Sequence, residues 1–333
     1  MSIEILSSGV LTTVQDLGRF GFGNRGINPN GVMDWFATRA ANSLLGNPSE
    51  SAILEMHFPA PHILFRQAAL ICLAGAEFTA LLALPAGLEK PLECFRPYQV
   101  PAGSTLRFDA PVRGRRVVLA VHGGWSVPPW MGSRSTHLMA GIGGNQGRAL
   151  KKGDQIPFSP ATNGFRVFAW KAAPSLIEKV YLRDSLRVLA GPEWNSLSRP
   201  SQEDFLKEPF SITPQSGRTA YLLDGPVLQK DDLAMGELLS SGVAFGTVQL
   251  LPNGQLLIFM ADHPVTGGYP RIANVIQADL PYLAQNGPPA KLRFKFASQS
   301  EAEMLYVSLQ RDLQQLANSS AQRINEWLSK QSI

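Results

Sequence analysis

Charge, cysteine and long apolar runs are all scarce in this chain of 333 residues, and each scarcity removes a class of function. Only 17% of residues are charged and the formal net charge is +4. Lys and Arg are scattered, with no stripe of basic and aromatic side chains, so no nucleic-acid partner is expected. The two cysteines, Cys72 and Cys94, sit in or beside apolar runs. Buried free thiols in a reducing compartment are the ordinary reading of that pattern. The most apolar window, 68–87, contains Gly75, Glu77 and Pro85. It therefore reads as buried strands and argues against a membrane span. The opening MSIEILSSG carries Glu4 and no basic segment, so a signal peptide is not expected and the cytoplasm is the expected location. Five histidines show neither H-x-x-x-H nor H-E-x-x-H spacing, so no zinc is expected. A phosphate loop of the form G-x-x-x-x-G-K-[ST], a G-x-S-x-G nucleophile elbow and the Met-Lys-Met tract of a biotin carrier are all missing. Chemistry driven by ATP or biotin would need parts from another chain.

What remains is apolar and turn-rich. Hydrophobic residues make up 44%, with 30 glycines and 25 prolines, which fits a folded, mainly β chain long enough for two domains. Short strands are predicted over 51–56, 62–65, 69–74, 78–84, 105–108 and 116–121, each bounded by Gly or Pro. Glu55 lies between apolar neighbours, either as a paired buried carboxylate or as an outward residue on an edge. A turn-then-strand form, G-[SD]-x-[LI]-x-F, occurs at 103–108 and 153–158, with a fainter relative at 289–294. LRVLAGPEW at 186–194 echoes IEILSSGVL near the start, which suggests two related halves, 1–180 and 181–333. Ser298 and Glu301 form a capping box ahead of a helical pattern of Leu305, Leu309, Leu313, Leu316, Ile324, Trp327 and Leu328.

Residues 9–47 hold the densest polar pattern. Thr12, Thr13, Gln15, Asp16 and Arg19 precede Gly18, Gly21, Gly23 and Gly26. Met33, Phe36, Ala37, Ala40, Ala41, Leu44 and Leu45 then recur at helical spacing, predicting an amphipathic helix over 33–45. Asp34 falls in its first turn and Gly46 and Pro48 stand past its end. A strand, a loop and a helix with a surface ion pair between Asp16 and Arg19 would explain the helix. It would not explain so many hydrogen-bonding side chains beside so many glycines, which points to a ligand or interface role. A second such region spans 121–147, where Ser133, Arg134, Ser135 and Thr136 follow Gly132. An Arg fixed among hydroxyls suits a carboxylate or phosphate, and the glycines at 141, 143, 144 and 147 suit an anion nest. In the second half, TPQSGRTAY contains Arg218 and Tyr221, and ADHPVTGGYP contains Thr266, Gly267, Gly268 and Tyr269.

These segments together resemble a bacterial family known as KipA-like, allophanate hydrolase subunit 2-like, or the C component of ATP-dependent 5-oxoprolinase. The matching pieces are TTVQDLGR, the G-x-x-x-x-G-x-MD turn at 26–34, AANSLLGN, GG-x-x-x-P-x-x-x-G-S-R-S-T at 123–136, and the two segments just quoted. The chain departs from the family at Thr219, Ala220 and Leu222, where Met, Gly and Arg are common, and at Pro264 and Val265, where Gln and Thr are usual. The resemblance implies two tandem cyclophilin-like β-barrel domains with few helices and a terminal helix. It also implies ATP-driven hydrolysis of the cyclic amide 5-oxoproline, together with a KipI-like B component and a separate A component. On that reading Arg19, Arg134 and Arg218 clamp a small anionic substrate, and Asp16 or Asp34 orients an Arg or acts as base. Gln15, Ser133, Ser135, Thr136, Thr266, Tyr269 and the Gly267–Gly268 turn bind the substrate. Two alternatives stay open: a carboxyltransferase component taking a carboxyl group from biotin on a partner, and a non-catalytic regulator that binds a KipI-like kinase inhibitor.

Overall fold

A computed structural model describes residues 2–161, 163–231 and 238–329. By internal contacts the chain forms two compact units, and neither is continuous in sequence. The first comprises residues 1–19, 34–177 and 310–333; the second comprises 20–33 and 178–309. The segment 20–33 and the last part of the C-terminal helix therefore pack with the unit other than the one their place in the sequence suggests. No helix among the described residues is long and apolar enough to cross a membrane.

The first unit is built on a ten-stranded antiparallel sheet. Strand alternation sets its two faces. On Ile53–His57, Leu54 and Met56 join the apolar core with Ile3, Ile5, Val14, Ile71, Leu73, Val117 and Leu119. Glu55 points the other way and is still fully buried, with the His57 Nε2 atom 3.7 Å from its carboxylate. It is thus an interior carboxylate, not an edge residue. The sequence divides 69–84 and 105–121 into four short strands, whereas the structure has two long ones, Ala69–Ala83 and Thr105–Val121. They pair along most of their length through register shifts between residues 75 and 80. Gly75, at φ 102°, lets the strand bulge and bend without ending the ladder. Glycines 103 and 153 make the turns before the repeated strand form, at φ 81° and 89°. Both thiols are free, and burial pushes Cys94 up to about 12 and Cys72 well above its ordinary range.

The predicted helix is Trp35–Leu44 and packs on the two long strands. Its buried side, Phe36, Ala37, Ala40, Ala41 and Leu44, is the stripe read from the sequence, and each large side chain there stabilises by about 1.5–3 kcal/mol. Asp34 caps it, accepting the Ala37 N–H at 2.9 Å, a contribution of about 1 kcal/mol. It ends because Gly46 enters the left-handed region at φ 69°. The Gly46 N–H then reaches Ser43 O (3.1 Å) and the Asn47 N–H reaches Asn42 O (3.0 Å), satisfying the last carbonyls.

In the second unit an eight-stranded sheet begins at Lys291–Leu292 and ends at Phe294–Phe296. Only Arg293 separates these two pieces, so one interrupted strand pairs with both ends and all but closes the sheet into a barrel. Phe205 stacks on Phe294, 4.6 Å between centroids and 7° between planes, with buried Phe210 tilted against both rings. The chain is thus mainly β, with few helices and a C-terminal helix, Gln299–Ser329. That helix starts where the capping box predicts, the Ser298 hydroxyl accepting the Glu301 N–H at 3.1 Å. Its far end packs into the first unit through Trp327, edge-on to Phe168 at 5.2 Å.

Candidate functional site

Strand Leu11–Gln15 delivers Asp16 into the interior of the first unit, where it is 7% exposed. One carboxylate oxygen, Oδ1, accepts from the Ser133 and Ser135 hydroxyls, each at 2.6 Å, and from the Gly18 N–H at 2.9 Å. The other, Oδ2, accepts the Arg134 N–H at 2.5 Å. The Ser135 hydroxyl also accepts the Asp16 N–H at 2.9 Å. A carboxylate surrounded by four donors is a brace, because every donor fixes its position. Next to it, the N–H and hydroxyl of Thr136 both reach Val14 O at 2.9 Å. Gln15 donates to Thr136 O and to the Thr13 hydroxyl, and its own carbonyl oxygen is buried with no partner among the described residues.

Arg19 is enclosed, not surface-exposed: it is 2% exposed, donates to Ser135 O at 2.6 Å and lies 4.9 Å below the Trp130 ring. Trp130 has no place in the sequence-based site; an aromatic beside the Arg-bearing loop was the available signal. Arg134 differs from its neighbours. Its backbone is fixed by Asp16 and its Nε donates to Val127 O at 2.8 Å. The side chain is nonetheless exposed, and its two terminal nitrogens make no hydrogen bond or ion pair among the described residues. An oriented guanidinium with both outer nitrogens open is the arrangement that takes an oxyanion in two parallel hydrogen bonds.

Two of the loop glycines serve this brace sterically. A Cβ on Gly143 would stand 2.4 Å from Ser135 O, and one on Gly144 1.9 Å from the Thr136 hydroxyl, at φ 52°. Gly144→Ala is therefore expected to cost at least about 2 kcal/mol, from the left-handed backbone and the overlap together. Urea unfolding followed by circular dichroism measures it, and a loss under about 0.5 kcal/mol would contradict this packing.

Of the other residues read from the sequence, Asp34 is the helix cap described above, and Arg218, Thr266, Gly267, Gly268 and Tyr269 belong to the second unit. Arg218 is 5% exposed and forms a two-pronged pair with Asp262, Nε to Oδ2 and Nη2 to Oδ1, both at 2.9 Å. Nη2 also donates to Gly31 O at 2.6 Å. Asn30 donates to Asp262 (2.8 Å) and Asn28 to His263 O (2.7 Å), so the segment 28–31 is sewn to the ADHPVTGGYP signature. Burial holds the His263 imidazole below its ordinary range despite the neighbouring Asp262. Its Nδ1 lies 2.6 Å from Pro264 O. Thr266 and Gly267 form a two-residue ribbon with Ser241 and Gly242, and beyond it Tyr269 is 46% exposed. Thr266 and Tyr269 are therefore displayed outward, while Arg218 is held within. Among the described residues no group of three or more His, Cys, Asp or Glu could hold a metal ion.

The family model for the carboxyltransferase domain, subdomain A and B, matches residues 25–296. The chain is 37% identical over 318 residues to a protein of Escherichia coli (strain K12) named as the C component of 5-oxoprolinase, covering 95% of this chain and 97% of that one. A protein of the same name from Haemophilus influenzae is 37% identical over 304 residues, covering 91% and 94%. Among solved structures, the Kluyveromyces lactis urea carboxylase superposes with a TM-score of 0.83 at 26% identity. That match covers 96% of this chain and 29% of the larger protein.

Proposed function

This chain belongs to the carboxyltransferase domain, subdomain A and B, family, and on that premise we propose that it is the C component of a bacterial ATP-dependent 5-oxoprolinase. The observation that carries the reading is 37% identity sustained over nearly the full length of two proteins bearing that name. The complex would open the lactam of 5-oxoproline to glutamate in the cytoplasm, with a KipI-like B component and an A component as partners. Because this chain has no G-x-x-x-x-G-K-[ST] loop, ATP is bound by or shared with those partners.

Hydrolysis of a lactam needs an anchored substrate, a polarised carbonyl and an activated water. Arg134 supplies the anchor: its outer nitrogens take the substrate carboxylate or a phosphoryl group, while Asp16 and Val127 hold it in place from behind. Asp16 accepts from Ser133, Ser135, Gly18 and Arg134, so its role in this reading is to position the clamp. Asp34 likewise serves as a cap. In the second unit, taken by itself, Thr266 and Tyr269 present exposed hydroxyls that can hydrogen-bond a ligand.

In the reconstituted complex, Arg134→Ala is expected to lower kcat/KM for 5-oxoproline by about 10- to 100-fold, the loss of one charge-assisted pair. Its melting temperature should fall by no more than a few degrees, since the guanidinium is exposed and only the Nε–H bond to Val127 O is lost. Normal turnover by this variant would remove the clamp. The match to a urea carboxylase favours a second reading, in which this chain accepts a carboxyl group from a partner's biotin. A biotinylated protein co-purifying with it, and no 5-oxoproline turnover, would decide for that reading.

A further inference from the structure

Glu193 lies far ahead of the Thr266–Tyr269 turn in sequence, and yet it is tied to it through one side chain. Its Oε2 accepts both the N–H (2.8 Å) and the Nε–H (3.0 Å) of Arg271, and its Oε1 accepts from Nη2 (2.8 Å). The remaining nitrogen, Nη1, donates to Gly242 O at 3.2 Å. Gly242 is the residue paired with Thr266 in the ribbon, and the next N–H, from Val243, reaches Val265 O at 3.1 Å. From the other side, Gln249, 1% exposed, donates to Tyr269 O at 3.0 Å. A Cβ on Gly267 would stand 2.6 Å from that same amide, so the turn rests directly on it. The base of the strut is equally tight: a Cβ on Gly191 would be 2.0 Å from Arg271 O. Hydrogen bonding to Arg271 keeps the Glu193 carboxyl below its ordinary range, so the pair is fully charged at neutral pH.

We propose that Glu193 and Arg271 are positioning residues that set the placement of the Thr266–Tyr269 turn, and so how tightly a ligand at that turn is held, without touching the ligand. A two-pronged ion pair backed by a backbone hydrogen bond is rigid, while a two-residue ribbon has no stiffness of its own. The strut supplies what the ribbon lacks. This inference rests on the functional reading above both for taking the ligand to be 5-oxoproline and for its being held at this turn.

Glu193→Gln tests it, because the amide keeps the shape and turns one acceptor into a donor facing the guanidinium. In the free chain, amide hydrogen exchange at residues 242–243 and 266–267 is expected to quicken about tenfold or more, with strand Leu256–Phe259 unchanged. In the reconstituted complex, KM for 5-oxoproline should rise about tenfold with kcat within about threefold of wild type. Arg271→Lys, which keeps the charge and loses the planar fork, should shift both readouts in the same direction and serves if the first variant does not fold. Unchanged exchange would overturn the strut. Faster exchange with KM within about twofold of wild type would overturn its bearing on substrate. A complex with no 5-oxoproline turnover in the wild type would count against the functional reading alone, because the exchange result stands without it.

Discussion

Asp16→Ala is expected to lower the stability of this protein by about 3–4 kcal/mol, as much as truncating a large side chain of the apolar core. The reason lies in the donors left behind. The Ser133 and Ser135 hydroxyls, the Gly18 N–H and the Arg134 N–H all point at one carboxylate. Ser133 and Ser135 are fully or almost fully buried, so water does not replace the lost oxygen cheaply. For a unit of this size that loss corresponds to a fall in melting temperature of roughly 10 °C. Asp16→Asn should cost less, about 1–2 kcal/mol, because the amide can turn its oxygen to the three donors on Oδ1 and sacrifice only the contact to Arg134. The ordering Ala worse than Asn worse than wild type in urea unfolding is the expected result. An Asp16→Ala protein within about 0.5 kcal/mol of wild type would mean that the hydroxyl loop is held by something else.

The second large effect belongs to Arg218 and Asp262. Either residue alone changed to Ala leaves a buried charge facing no opposite one, which is expected to cost about 3–5 kcal/mol. Both are over nine-tenths buried and joined by two 2.9 Å hydrogen bonds. The double variant Arg218→Met with Asp262→Leu removes both charges together, and should recover most of that stability. It would not recover the anchoring of residues 28–31, since Gly31 O and the Asn30 amide both lose these contacts. Faster hydrogen exchange confined to 28–31 in the double variant is therefore expected alongside near-normal unfolding. If the single and double changes were simply additive, the pair would not be acting as a unit.

Local grammar was legible in the sequence, and long-range partnership was not. The helix Trp35–Leu44 follows from apolar spacing, its cap from Asp34 and its end from Gly46, all within a short stretch of chain. The strand His62–Phe65 and the Ser298 cap follow from equally local signals. Gly75 misled, because a glycine that ends one strand and a glycine that bulges a continuing one look alike until the opposite strand is in place. The polar cluster of residues 12–19 was visible as a cluster, but its meaning depended on the hydroxyls of Ser133 and Ser135, distant in the chain. Without those partners Asp16 and Arg19 read as reactive or surface groups; with them they are interior supports. Arg134 was visible for the opposite reason. A guanidinium placed on a glycine-bounded loop reads as presented, and its backbone is fixed while its outer nitrogens stay open. Glu193 carried no signal beyond an echo of the N-terminal strand, since its partner Arg271 comes from a distant part of the sequence.

The most direct measurement is glutamate formation from 5-oxoproline, with ATP, by the purified A and B components in the presence and absence of this chain. Turnover that appears only when this chain is added, and that falls about 10- to 100-fold with Arg134→Ala, is the result expected here. Equal turnover without the chain, or none with all three components together, would contradict it.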